Sequence, residues 1–279
     1  MNIVLVCIGN FQEYILINLQ QLLRLSHNNI YVITNNYLFQ KFDSFQGKIT
    51  LVAIEDLPDS FNYSSRSVLN LTFRNGFWLY TSLRFFYLYE FMKKYNICDV
   101  IHLENDVMIY YNSEVLSDKL YRNKIYLPFD TFKRNIASIM YIPNHIIFEK
   151  VLLLYDINKN DMENFSSISN QTGLIDNFPI FIEDTKESLE YQFITKNFNR
   201  FNFIFDAAAI GQYLGGVDPR NIEGDSRGFI NETCIIKYNK YNIFWKTEDG
   251  IRRPFIEIDN DTYPIFNLHI HSKNLKEFS

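Results

Sequence analysis

The 279-residue chain has only three cysteines, Cys7, Cys98 and Cys234, far apart and without a Cys-x-x-Cys pair. So sparse and odd a set excludes a disulfide framework and a zinc cage, and reads as reduced thiols of a cytoplasmic protein. Nowhere do about 20 apolar residues run together, so no membrane span is expected. The opening apolar run, Ile3 to Ile8, is short and has no basic segment before it. It fits a buried first strand and not a secretion signal. Basic clusters are also missing. Lys and Arg number 27 against 32 Asp and Glu, a net charge of −5, which argues against nucleic acid as a partner because phosphate neutralisation needs a Lys/Arg-rich surface. Neither Gly-x-Gly-x-x-Gly, Gly-x-x-x-x-Gly-Lys-Ser/Thr nor His-Glu-x-x-His occurs, which weakens oxidoreductase, ATPase and zinc-hydrolase readings. Internal repeats, linkers and low-complexity tracts are absent, so one domain is the simplest account. The Asn-x-Ser/Thr triplets, such as Asn70-Leu71-Thr72, are what chance gives an Asn-rich chain. Aromatics, in contrast, are abundant: 26 Phe and 19 Tyr bring the aromatic share to 17%. At roughly 150–250 Å² buried per ring they support a large core, and they leave room for a homodimer face.

Residues 2–8 are apolar throughout, as in a strand covered on both faces. Gly9-Asn10 breaks the run, Phe11 to Leu25 has helical spacing, and Ile30 to Thr34 and Ile49 to Ile54 read as further strands. Strand, helix and strand with short connections make a right-handed βαβ unit of a Rossmann-like, mostly parallel sheet. A polar loop, roughly Glu55 to Asn75, precedes a strong helix from Phe77 to Tyr95, closed by Lys93-Lys94. Strands follow at Cys98 to Leu103 and Val107 to Tyr110. Further on, Ile125 to Leu127 and Ala137 to Ile142 read as strands and His145 to Tyr155 as a helix. Asp156 to Asn177 reads as loops and short helices. After Phe201 to Phe205 comes a short helix, and the tail reads as strands at Cys234 to Tyr238, Tyr241 to Lys246, Phe255 to Ile258 and Ile265 to His271.

The sharpest local feature is Ile101-His102-Leu103-Glu104-Asn105-Asp106-Val107. Two carboxylates one residue apart stand at the end of an apolar strand, where open α/β sheets place their ligands. On an extended backbone Glu104 and Asp106 face one way. Oxygen ligands of this kind suit Mg²⁺ or Mn²⁺ with a diphosphate completing the coordination. A second constellation is Asn267-Leu-His269-Ile-His271-Ser-Lys273. On a strand, His269, His271 and Lys273 share a face, offering imidazole to a metal and a point charge to phosphate.

The acidic triplet resembles, as a Glu-x-Asp variant, the Asp-x-Asp motif of GT-A-fold, nucleotide-sugar-dependent glycosyltransferases, and His-x-His-Ser-Lys resembles their C-terminal metal and diphosphate element. The resemblance covers about residues 1–110 and 200–279. It implies an α/β GT-A fold with a smaller mixed sheet on the acceptor side: one domain, residues 1–279, with a nucleotide-binding half (1–110) and an acceptor half (111–279). It implies a metal site of Glu104, Asp106 and a histidine, His271 ahead of His269, with Lys273 on the diphosphate. Glu104 and Asn105 are also placed against the donor. Ile8, Asn10, Asn35 and Asn36 are candidates to hold the base, since amides read the imide edge of uracil. Thr81 and Arg84, three apart on the long helix, resemble the pair that meets the nucleotide. Arg84 amid aromatics needs an acidic partner, Asp99 or Asp106. The segment Asp206 to Asn221 resembles the acceptor-side motif of bacterial and large-DNA-virus glycosyltransferases. There Asp206 and Asp218 are candidate catalytic bases, or else a helix cap and a turn.

The expectation is therefore a cytoplasmic glycosyltransferase (in the host's cytoplasm if viral) that takes a UDP-sugar with Mn²⁺ or Mg²⁺ and glycosylates a carbohydrate or other hydroxyl acceptor. Its rivals are a sugar nucleotidyltransferase, which should carry a Gly-rich loop near residue 10 where only Gly9 stands, and a catalytically inactive binding protein of the same fold.

Overall fold

The opening apolar run forms strand β1 (Asn2–Cys7), buried on both faces as its lack of alternation requires. In this computed structural model, described for residues 1–67 and 72–279, it lies inside an eight-stranded sheet; Asn70 and Leu71 of the Asn-x-Thr triplet fall outside the described residues. Strands β2 (Ile30–Thr34) and β3 (Thr50–Ala53) stack parallel on one side of β1, and β4 (Val100–Leu103) lies parallel on the other. Beyond β4 the direction reverses: β8 (Ile139–Ile142) pairs antiparallel with β4 and with β6 (Ile125–Thr131). The sheet ends with β7 (Arg134–Asn135) and β9 (Ile175–Phe178), both on β6. The first βαβ unit, with its helix at Ile15–Arg24, and the long helix Phe77–Tyr95 stand where the apolar periodicity puts them.

A second, mixed sheet orders β10 (Ile204–Phe205), β13 (Asp261–His269), β12 (Ile251–Ile258) and β11 (Asn242–Glu248), with β5 (Val107–Ile109) pairing antiparallel with β13. This α/β arrangement of a Rossmann-like sheet with helices and a smaller mixed sheet is the one expected. Its consequence for the site is topological. Glu104 to Asp106 is the segment in which the chain leaves the first sheet at β4 and enters the second at β5. The β5–β13 ladder then sets His269 opposite Val107, and the Ile270 N–H donates to the Asp106 carbonyl at 2.9 Å. Hydrogen-bond register brings the two distant motifs together.

Three local readings need correction. Cys234 to Tyr238 is not a strand: the chain curls there around the Lys237 ammonium, which donates to the carbonyls of Asn231, Glu232 and Cys234 at 3.3, 3.1 and 2.8 Å. The region Asp156 to Asn177 holds an eleven-residue helix, Asp161–Gln171, opened by an Asn160/Glu163 capping box, and then β9. The last strand stops at His269, so His271 lies in the turn beyond it and shares no strand face with His269.

Candidate active site

Glu104, Asp106 and His269 converge at the wall of a cavity of about 1020 Å³. That volume is at the upper end of the ~300–1,000 Å³ typical of small-molecule sites. Glu104 and Asp106 do not share a face through extended backbone. Asn105 and Asp106 form a turn, closed by the Val107 N–H donating to the Glu104 carbonyl at 3.0 Å, and it folds both acids toward the histidine. Asn105 fixes that turn from behind, its amide donating to the Val6 carbonyl at 2.9 Å and to Gln12 Oε1 at 2.5 Å.

His269 Nε2 lies 3.0 Å from Glu104 Oε2 and 3.4 Å from Asp106 Oδ2. Its other nitrogen, Nδ1, donates to the Ala207 carbonyl at 2.9 Å. That bond settles the tautomer: Nε2 carries a lone pair unless it is protonated or bonded to a cation. A lone pair facing two carboxylates is repulsive, so the geometry calls for a positive centre between them. Without a metal, that centre is a proton. Burial alone would lower the imidazole, but Asp106 and Glu104 outweigh it and raise His269 to about 10.

The acids are held ionised. Burial opposes the charge on Glu104, yet Arg84 and His269 bring it down to about 2. Asp106 is likewise held well below the usual carboxylate range, with Lys273 and His269 overcoming burial. Arg84, itself buried, pairs with Glu104 and, at 3.2 Å, with Asp161; its expected partners Asp99 and Asp106 are not used. Asp99 instead accepts from Tyr141 and pairs with Arg122. Lys273 pairs with Asp106. Three carboxylates, of which Asp161 is raised by burial to about 6, thus face Arg84, Lys273 and a protonated His269, a cluster in which a divalent ion can take the place of positive charge.

The donor set fits such an ion. Two carboxylates and one imidazole offer ligand atoms that all lie within 4.8 Å of one another. Bonds of about 2.1 Å at right angles set neighbouring ligand atoms roughly 3 Å apart, close to the 3.0 and 3.4 Å that separate His269 Nε2 from the two acids. Carboxylate oxygens suit Mg²⁺ and Mn²⁺ alike.

The structure separates the remaining sequence candidates. Ile8, Asn10, Thr81, Arg84, Asn105, Asp218, His271 and Lys273 line the cavity. Asn35 and Asn36 do not: Asn35 accepts from the Gly9 N–H at 2.8 Å and donates to Glu55 at 3.2 Å, and the Asn36 N–H also donates to Glu55. They brace the turn after β1. His271, expected as the leading ligand, is replaced in the cluster by His269. Its ring packs against that of His269, tilted by 35° at 4.0 Å, its buried Nε2 has no hydrogen-bond partner among the described residues, and burial followed by the His269 charge keeps it neutral.

Asp206 is placed for a different task from the base expected of it. Its carboxylate is buried and accepts from the backbone N–H groups of Ile210 and His269, each at 2.9 Å, and of Gly211, at 2.7 Å. It clasps the start of the helix Ala209–Gly215 to the end of β13 and so fixes His269. Asp218 does line the cavity, but Arg220 grips both its oxygens, and those bonds lower it to about 2, a poor proton acceptor. Asp161 and Gln12 carried no motif, and Arg220 stood inside the Asp206 to Asn221 segment without being singled out. Only the capping box Asn160-x-x-Glu163 could have drawn attention to Asp161, by placing it in the first turn of a helix.

No family model matches this sequence, and no curated protein does. Among solved structures, mouse xyloside xylosyltransferase 1 is similar over 64% of this chain and 84% of its own, at 12% identity and a TM-score of 0.47. A cytidylyltransferase from Leptospira borgpetersenii covers 68% and 79%, at 13% identity and a TM-score of 0.42. The glycosyltransferase GlyE of Streptococcus pneumoniae covers 63% and 45%, at 15% and 0.41. These are partial likenesses of backbone arrangement, and the roles of the residues above rest on this chain's own geometry.

Proposed function

We propose that the protein is a metal-dependent glycosyltransferase that takes a nucleotide-sugar, read as a UDP-sugar, and passes the sugar to a hydroxyl of a carbohydrate acceptor. The observation that carries this reading is the meeting of Glu104, Asp106 and His269 in one large cavity with Lys273 beside them. Asp106, Glu104 and His269 would hold Mn²⁺ or Mg²⁺, which when bound neutralises the charge that develops on the departing diphosphate. The chain's own groups prepare that event. Arg84 keeps Glu104 ionised and aimed, and the Ala207 carbonyl keeps the His269 lone pair on Nε2. Lys273, which pairs with Asp106 beside His269, is a point charge for a diphosphate oxygen. Asn10, exposed at the cavity edge beside Ile8, supplies amide donors and acceptors suited to a uracil edge.

The test is donor turnover. UDP release from a panel of UDP-sugars should require Mn²⁺ or Mg²⁺ and should disappear in Asp106→Ala, once a thermal melt shows that variant folded. Metal-independent turnover, or near-normal turnover in that variant, overturns the assignment. Diphosphate formation from a nucleoside triphosphate and a sugar phosphate would move the protein to the nucleotidyltransferases.

A further inference from the structure

The helix Ala209–Gly215 touches β13 through a residue with no side chain. A Cβ on Gly211 would lie 2.0 Å from the His269 carbonyl oxygen. This close approach sets the next residue, Gln212, on the wall of the cavity that holds the acid–histidine cluster. Gln212 is 9% exposed, and its side-chain oxygen is buried without a hydrogen-bond partner among the described residues. Three residues on, the same helix face reaches Gly215. Ser272 Oγ sits 3.2 Å from where a Cβ on Gly215 would be, and it too is buried without a partner among the described residues and belongs to a residue lining the cavity. Buried polar atoms are destabilising when unpaired, and leucine or alanine would fill these positions without that penalty.

Both groups are neutral, unlike Lys273 and Arg84, so they bring no charge to a diphosphate and can serve only through hydrogen bonds. An amide offers an acceptor and two donors, and a hydroxyl offers one donor and two acceptors. Each can pair with a hydroxyl of a sugar ring. We infer that Gln212 and Ser272 form a hydroxyl-reading subsite for the sugar of the donor, next to the groups that hold its diphosphate. The inference rests on the nucleotide-sugar reading above and adds the residues that recognise the transferred ring.

The experiment compares two ligands on the same site. Isothermal titration with Mn²⁺ measures UDP, UDP-glucose, UDP-galactose and UDP-N-acetylglucosamine on the wild type, Gln212→Leu and Ser272→Ala, each first shown to be folded by its thermal melt. UDP affinity should stay within about twofold in both variants. The ratio of UDP-sugar to UDP dissociation constants should rise about five- to tenfold for at least one sugar, the loss of one buried hydrogen bond. Ser272→Ala removes a single atom and keeps the test open if the leucine variant does not fold. An unchanged ratio in both variants overturns the subsite while leaving the UDP site standing. An unchanged ratio with transfer to an acceptor lost assigns the pair to acceptor hydroxyls and overturns the donor assignment. Failure of the wild type to bind UDP at all overturns the reading of the site, and the subsite with it.

Discussion

Replacing Gly211 by alanine sets two physical effects against each other. Alanine is favoured over glycine in a helix interior by roughly 1 kcal/mol, so propensity alone makes Gly211→Ala stabilising. The packing says otherwise. The new methyl would lie 2.0 Å from the His269 oxygen and 2.7 Å from its carbonyl carbon, against 3.4 Å for ordinary contact. Helix and strand must therefore part by about 1.4 Å, and both contacted atoms are backbone, with no rotamer to yield. Separation also pulls on the Asp206 clasp, which bonds both elements through Gly211 and His269. Overpacking costs about 1–3 kcal/mol and a strained charge-assisted hydrogen bond about 1.5–3. Less the propensity gain, the variant should lose roughly 1.5–5 kcal/mol in urea unfolding. Because the displacement falls on His269, Mn²⁺ affinity should drop on the order of 10-fold or more, the range seen when groups behind a metal ligand are disturbed. A variant as stable as the wild type, with unaltered Mn²⁺ binding, would refute the reasoning.

Two further outcomes follow from buried titratable groups. His27 is buried and its Nε2 accepts the Ser113 N–H at 3.4 Å; burial, its leading cause, holds it at about 4. Its folded value lies below the unfolded value near 6.5, so the unfolded chain takes up the proton first and stability falls as pH drops through that window. The loss is roughly 3 kcal/mol between pH 6.5 and 4, read as the difference between the wild type and His27→Asn in urea titrations at pH 7 and 4; equal pH slopes in the two proteins would dismiss it. Asp218, gripped by Arg220 and held at about 2, should not be the base. Asp218→Asn should keep kcat within about tenfold of the wild type, whereas a thousandfold fall would restore that role.

How much of this was legible in the sequence depended on the range of the interaction. The first βαβ unit and the helix Phe77–Tyr95 follow from local apolar periodicity, and Glu104, Asp106 and the histidine pair stood out as chemistry-bearing types at the ends of such elements. Strand β9 was hidden because two of its four residues, Asp176 and Asn177, are polar and buried, and their partners Lys196 and Asn197 come from another segment. Cys234 to Tyr238 looked like a strand because its composition is apolar; the carbonyls wrapped around Lys237 leave no trace in periodicity. The choice between His269 and His271 turned on where β13 ends, one residue after the register that pairs Leu268 with Met108. Asp206 shows the same limit. Sequence marks an acid before an alanine run, whereas only tertiary structure supplies the third N–H, from His269, that makes it a clasp.

The central claim is a shared cation, and anomalous diffraction from crystals grown with Mn²⁺ and UDP measures it directly. The account predicts a manganese peak bonded to Asp106, Glu104 and His269 Nε2, with Lys273 moved from Asp106 to a phosphate oxygen. A nucleotide bound with no manganese there, or a peak that leaves His269 Nε2 protonated against the two acids, would contradict it.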